Sequence, residues 1–180
     1  MQSALRQFPD FPSPGILFED ILPIFQDPAL HETLIHALEL YILEIYGRGG
    51  GPDIIVGLEA RGFLFGPSLA LRLGAGFVPV RKKGKLPGTT VSVSFDKEYG
   101  TDFFAVQSDA IKAGQKILIV DDIIATGGSA AAAGQLVEKL GGNLLGFIMI
   151  LELDFLRGRD KLPAPCHTLL LSQSAPSAAP

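Results

Sequence analysis

The chain reads as an α/β protein with a mostly parallel central sheet and helices on both faces. Three observations lead there. Short apolar runs without a polar break, such as Ile117–Val120, suit strands buried on both sides. They alternate with segments whose apolar residues recur at helical spacing, as Ala133, Leu136, Val137 and Leu140 do. One pair of alternating segments, Val91–Phe95 and Phe103–Gln107, stands apart as a two-stranded hairpin. The 180 residues suffice for one α/β domain with a proper core, and no repeat or linker divides them.

Taken in order, the chain opens with an arm. Phe8 to Gly15 is turn-rich, and its prolines forbid regular helix. Ile16–Leu22 is apolar with two acids inside, so the arm is expected to pack over something as a small hood, to about residue 35. Asp27 then caps a helix with Pro28 at its first position. Leu30, Leu34, Leu38, Tyr41 and Ile45 mark its apolar face to about Tyr46. Asp53–Gly57 reads as the first buried strand. A helix follows over Phe63–Leu73, with Gly74 as its stop and Pro67 blurring its start. Phe77–Val80 is the next strand, and the hairpin follows it. After the central strand and helix come a strand over about Leu144–Leu153, a polar loop over Arg157–Lys161 and a last strand near Thr168–Leu171. Gln173–Pro180, rich in Ser, Ala and Pro, reads as a disordered tail.

Composition removes several functions. Net charge is −4 and no basic block exceeds Arg81–Lys83, which argues against a nucleic-acid footprint. The longest apolar run, Leu144–Leu151, is a strand's length, so no membrane span is expected. Met1–Gly15 lacks the apolar core of a secretory signal. The single cysteine, Cys166, forbids an intramolecular disulfide and reads as a small, partly buried side chain. A cytoplasmic protein is expected. His31 and His36 are five apart and His167 stands alone, so the histidines form no zinc pair.

The stretch from Lys116 to Ser129 carries the chemistry. Four aliphatic residues end at two carboxylates, Asp121 and Asp122, followed by Ile123 and the small-residue loop Ala125, Thr126, Gly127, Gly128 and Ser129. Parallel strands point their carboxyl ends at the crevice where α/β sheets bind ligands. A loop of small residues entering a helix offers backbone N–H groups and a positive dipole end to a phosphate. Carboxylates beside a phosphate must face something else, either sugar hydroxyls or a Mg²⁺ carried by the ligand. The ligand so implied is a phosphorylated sugar. A Walker B strand would need a phosphate loop that the chain lacks, and Gly74–Gly76 does not complete a dinucleotide fingerprint.

This stretch resembles the phosphoribosyl pyrophosphate (PRPP) motif of type I phosphoribosyltransferases. Four further segments are similar, in order, to those of adenine phosphoribosyltransferases: Phe8–Ile21, Ala60–Gly66, Arg81–Gly88 and Glu98–Gly100. The likeness runs from about Phe8 to Leu171. It implies the type I fold with an N-terminal hood and a flexible hairpin lid. It also implies transfer of phosphoribosyl from PRPP to adenine, giving AMP and pyrophosphate with Mg²⁺, in a homodimer. Metal would be held mainly through PRPP, with Asp121 and Asp122 as the protein's own candidates.

Residue roles follow from the same resemblance. Arg61, Lys82 and Lys85 would bear on the leaving pyrophosphate, with Arg81 assisting, across the subunit interface in one version. The alternative for Arg61 is a surface ion pair with Glu59. Taken singly, Lys82 and Lys83 fit a solvated face equally well. Glu98 would handle a purine-ring proton as the general acid–base while Tyr99 packs the lid; otherwise Glu98 is only an exposed loop acid. Backbone groups of Leu17 and Glu19 would read the purine edge, and Phe18 and Ile123 would cover its faces. Otherwise Phe18 merely anchors the arm. Two departures stand out: Ala60 replaces the Ser of many relatives, and Glu19 the Arg of some. Two rivals remain at this point: a hypoxanthine or guanine enzyme of the same fold, and a silent PRPP sensor with a nucleic-acid face.

Overall fold

The computed structural model describes residues 2–11, 14, 17–97 and 100–171; Glu98, Tyr99 and the tail from 172 lie outside. Nine strands and four helices are present among them. β1 (Arg6–Pro9) and β2 (Leu17–Asp20) come first, then α1 (Leu22–Gln26) and α2 (Pro28–Tyr46). β3 (Ile54–Leu58), α3 (Gly62–Leu73) and β4 (Gly76–Lys82) follow, then β5 (Thr90–Lys97) and β6 (Gly100–Gln107). β7 (Lys116–Ile124), α4 (Gly128–Lys139), β8 (Asn143–Glu152) and β9 (Cys166–Leu171) complete the set.

Seven strands form the main sheet in the order β5-β6-β4-β3-β7-β8-β9. Its β4-β3-β7-β8-β9 part is parallel, and the β5–β6 hairpin joins the edge of β4 antiparallel. Two cores result from the period-two alternation of buried strands. Ile55, Leu118, Val120, Ile148 and Ile150 face α1, α2 and α3. Val56, Val78, Ile117, Ile119 and Phe147 face α4 through Ala133, Leu136 and Val137. Helices on both faces of a mostly parallel sheet are thus observed.

Local chemistry explains the helix ends. Asp27 Oδ1 accepts from the amides of Ala29 (2.8 Å) and Leu30 (3.3 Å), capping α2 ahead of Pro28. Gly74, in the left-handed conformation at φ 68°, closes α3. α3 runs through Pro67. The buried face of α2 is Leu34, Ile35, Leu38 and Ile42, and Ile45 is exposed. Of the expected face, Leu30 and Tyr41 also pack against this core and only Ile45 does not; Ile35 and Ile42 widen the face as α2 packs on both α1 and α3.

Two elements differ from expectation. The arm is not merely turns: β1 and β2 pair antiparallel as a separate sheet, with Phe8 opposite Phe18. And β7 does not stop at Val120 but runs on through both acids to Ile124. Its partner β3 pairs only as far as Val120, whereas β8 continues alongside to Glu152. The acids therefore stand on a projecting strand end with one flank open.

Candidate active site

Asp121 and Asp122 follow one another near the end of β7, and both carboxylates border one cavity, close enough to interact with each other. Asp122 is 6% exposed, and its carboxylate forms an ion pair with Arg61 Nε. Burial, and then the charge of Asp122, push the Asp121 carboxyl well above its usual range. Such a pair favours partners that donate hydrogen bonds or carry positive charge.

Arg61 reaches Asp122 because of the glycines around it. A Cβ on Gly62 would lie 2.7 Å from the Val120 carbonyl, and one on Gly66 would lie 2.6 Å from the Phe77 ring. Without side chains there, the start of α3 lies directly against the sheet. Arg61, immediately before α3, is thereby set beside the end of β7. The expected alternative, an Arg61–Glu59 pair, is not what forms. Glu59 instead accepts from Arg81 Nη2 at 2.7 Å and from the Lys82 amide at 3.0 Å. The Arg81 hydrogen bond is the main reason that the Glu59 carboxyl titrates below its usual range.

The loop after β7 is built as a phosphate cradle would be. Gly127 is left-handed at φ 78° and caps α4 with no side-chain hydrogen bond. The first amides of a helix lack intrahelical acceptors, so those at the start of α4 are free for an anion. A cavity of about 250 Å³ collects Arg61, Asp121, Asp122, Ile123, Ala125, Thr126, Gly127, Gly128 and Ser129. Glu59, Ile124, Ala130 and Met149 line it as well.

A second cavity of about 380 Å³ lies against the arm, lined by Phe8, Phe11, Phe18, Asp20, Leu22 and again Arg61. Phe11 meets Phe18 edge-on, with ring centroids 5.1 Å apart. The Arg61 guanidinium carbon is 6.0 Å from the Phe18 ring centre. Asp20 ties this wall down: it accepts from Arg6 Nη2 (2.6 Å) and from the Leu22 amide (2.9 Å).

Most residues singled out in the sequence converge here. Leu17 and Glu19 flank Phe18 on β2, and the Glu19 side chain takes a bond from Gln7 Nε2 at 3.2 Å. Ile123 lines the acidic cavity and not the aromatic one. Arg81 donates to the Lys85 carbonyl at 3.1 Å, and Lys82 Nζ lies 3.4 Å from Asp102. Lys83 Nζ sits 5.1 Å over the Phe103 ring. The Glu98 and Tyr99 assignments lie outside the described residues. Sequence reasoning missed the Phe8 and Phe11 lining, although both rings stand in the quoted arm. It also treated Glu59 only as a bystander to Arg61. Among the described residues no group of three or more His, Cys, Asp or Glu gathers as a metal site. No helix among them is long and apolar enough to cross a membrane.

Comparison with known proteins places this geometry. A model of the phosphoribosyl transferase domain family matches residues 26–164. The adenine phosphoribosyltransferase of Yarrowia lipolytica is 64% identical over 173 residues, covering 96% of this chain and 94% of that protein. A Saccharomyces cerevisiae adenine phosphoribosyltransferase, solved with adenine and an imino-altritol bisphosphate, superposes with a TM-score of 0.92 at 60% identity, covering 94% of this chain and 96% of that one. A Trypanosoma brucei adenine phosphoribosyl transferase, solved with AMP, pyrophosphate and ribose-5-phosphate, gives 0.82 at 25% identity, covering 98% of this chain and 80% of that one.

Proposed function

The chain belongs to the phosphoribosyl transferase domain family and, within it, to the adenine phosphoribosyltransferases; from that premise we propose how its residues divide the work. The reaction transfers the 5-phosphoribosyl group of PRPP to adenine, giving AMP and pyrophosphate. A ring nitrogen of adenine bonds to C1 of the ribose, the C1–oxygen bond breaks, and its electron pair leaves with pyrophosphate. The observation that carries the assignment of roles is that one side chain, Arg61, lines both the acidic cavity and the aromatic one. Phosphoribosyl occupies the first, with Asp121 and Asp122 toward the ribose hydroxyls and the Ala125–Ser129 amides toward a phosphate. Adenine occupies the second.

Charge sets the remaining roles. The sugar passes through an oxocarbenium-like state while the leaving group gathers negative charge, so fixed cations lower the barrier. Arg61, Lys82 and Lys85 supply them, with Arg81 in support. The Arg81 guanidinium is bonded to Glu59 of its own chain, which favours action within one subunit. Glu98 takes the proton released from the purine ring, and Tyr99 packs the lid.

Mg²⁺ fits this donor set as a PRPP-bound ion, with Asp121 and Asp122 as the protein groups that would face it. When bound, it neutralises charge developing on the pyrophosphate.

The hood reads the base through backbone. Pro9 has no N–H, so Pro9–Leu17 cannot be a pair bonded in both directions. The alternation along an antiparallel pair then turns the N–H and C=O of Leu17 and Glu19 away from β1, toward the open edge. Adenine offers a donor at its 6-amino group beside an acceptor at N1; hypoxanthine reverses both. The wrong base leaves buried groups unpaired at about 1–3 kcal/mol each. Adenine is therefore expected over hypoxanthine by at least about 10³ in kcat/KM. Pyrophosphate release from PRPP with each purine base in turn tests this, and comparable rates with hypoxanthine would overturn the base assignment. The enzyme is further read as a cytoplasmic homodimer, which sedimentation equilibrium of the purified chain would check for assembly.

A further inference from the structure

The crossover from β8 to β9 lies outside the residues given a role above, yet it meets the phosphate-side loop at its tightest point. It holds two 3-10 turns, Asp154–Leu156 and Gly158–Lys161. A Cβ on Gly158 would lie 2.2 Å from the Ala125 carbonyl oxygen and 2.8 Å from the Gly127 amide nitrogen. A Cβ on Gly127 would in turn lie 2.2 Å from the Gly158 carbonyl oxygen. Two backbones are in direct contact, with no room for a side chain on either. The Leu153 amide also donates to the Ile124 carbonyl at 2.9 Å, so the crossover starts hydrogen-bonded to the end of β7.

The residue after Gly158 fixes it there. Arg159 Nε donates to Glu152 Oε1 at 2.5 Å, and Nη2 forms an ion pair with the other oxygen of the same carboxylate. Nη1 donates to the Cys166 carbonyl at 2.5 Å and Nη2 to Thr168 Oγ1 at 2.8 Å. Thr168 Oγ1 donates to Glu152 Oε2 at 3.2 Å, so the carboxylate is held from two sides. Glu152 is only 2% exposed, and it stands opposite Ile124 in the β7–β8 register. One guanidinium thus ties the turn to the ends of β8 and β9, next to the strand that delivers the loop. A rigid fork with several donors suits this, where a lysine would reach fewer acceptors.

We propose that Arg159 is a positioning residue for the phosphate-side loop. Clamped on Glu152, it seats Gly158 behind Ala125 and Gly127 and so holds the loop amides in the geometry that binds PRPP. This rests on the reading of that loop as the PRPP site.

The test is calorimetric titration of PRPP with Mg²⁺ into the full chain and its variants. Arg159→Met and Gly158→Ala are each expected to raise the PRPP Kd about tenfold or more, the range typical of lost supporting contacts. Gly158 is not left-handed, so its Ala variant probes the backbone contact alone and decides the matter if Arg159→Met does not fold. Arg159→Lys, which keeps the charge opposite Glu152, should fall between. The KM for adenine at saturating PRPP should stay within about twofold, a split that general destabilisation would not give. Arg72→Met, which breaks an Arg72–Glu32 ion pair on the α2–α3 surface, should leave the PRPP Kd unchanged. A wild-type Kd in Gly158→Ala, or an equal rise in Arg72→Met, overturns the clamp while leaving the enzyme assignment intact. Failure of the wild type to bind PRPP overturns both.

Discussion

Asp122 is the side chain proposed to face the ribose hydroxyls. It is a buried carboxylate whose ion pair is Arg61, whose own side chain remains 42% exposed. Removing one partner of a fully buried pair costs about 3–5 kcal/mol, but an exposed guanidinium can turn to water and avoid most of that. Asp122→Asn should therefore fold. It loses charge-assisted hydrogen bonds worth about 1.5–3 kcal/mol, so PRPP binding should weaken at least tenfold. Calorimetry on the folded variant checks this; an unchanged Kd would remove Asp122 from the ribose site. Cys166 gives a second residue-level expectation. Burial pushes its thiol up to about 11, against the opposing pull of Arg159. Near pH 8 only about 0.1% is then thiolate, the reactive form. An aromatic disulfide reagent should leave the native thiol unmodified for hours and titrate it at once in denaturant. Rapid modification of folded protein would mean that the β8–β9 edge opens.

The strands and helices show which parts of the structure local sequence encodes. Runs such as Ile117–Val120 and the capped start at Asp27 carry their own signals, and the first part of β7, α2, α3, α4 and the β5–β6 hairpin formed as expected. The β1–β2 sheet was not legible. Its strands are four residues each, β1 is exposed throughout, and prolines interrupt the alternation. The true end of β7 was hidden because acids look like a strand's end when the neighbouring strand is unknown. The pairs Arg61–Asp122 and Glu59–Arg81 join elements whose adjacency the sheet order decides, and Glu152–Arg159 depends on how the crossover after β8 folds back. The last pair has a pH signature. Arg159 holds the Glu152 carboxyl below its ordinary value, so the unfolded chain binds its proton more readily than the folded one. The stabilisation is present above the unfolded pKa and lost as pH falls through the folded pKa. Urea unfolding of wild type and Glu152→Gln should differ clearly at neutral pH, and the gap should shrink as pH falls below the ordinary carboxylate range and through the lowered folded pKa. A gap that persists in acid would mean that Glu152 acts by packing and not by charge.

The molecule as a whole sets two unlike cavities on either side of one cation. The sheet and α4 build a polar, acidic cavity; the arm builds an aromatic one; Arg61 borders both. Sugar and base must meet at C1, so the residue at that border is the one expected to affect both substrates. The magnitudes are unequal. Toward Asp122 the guanidinium forms an ion pair with a buried carboxylate at the edge of the acidic cavity. Toward Phe18 it stands 6.0 Å from the ring centre, the limit of a cation–π contact. Such a contact is worth about 0.5–1 kcal/mol at an exposed site. Arg61→Met should thus raise the KM for PRPP at least tenfold and that for adenine by about two- to fivefold. Phe18→Ala should raise only the adenine KM, and Asp122→Asn mainly the PRPP KM. Glu19→Ala should move neither by much, because its carboxylate points to Gln7 and only its backbone is assigned to the base. The check is a matrix of both KM values across these four variants. If Arg61→Met moves the PRPP KM alone, the base does not sit against Arg61, and the aromatic cavity beneath the hood is not where adenine binds.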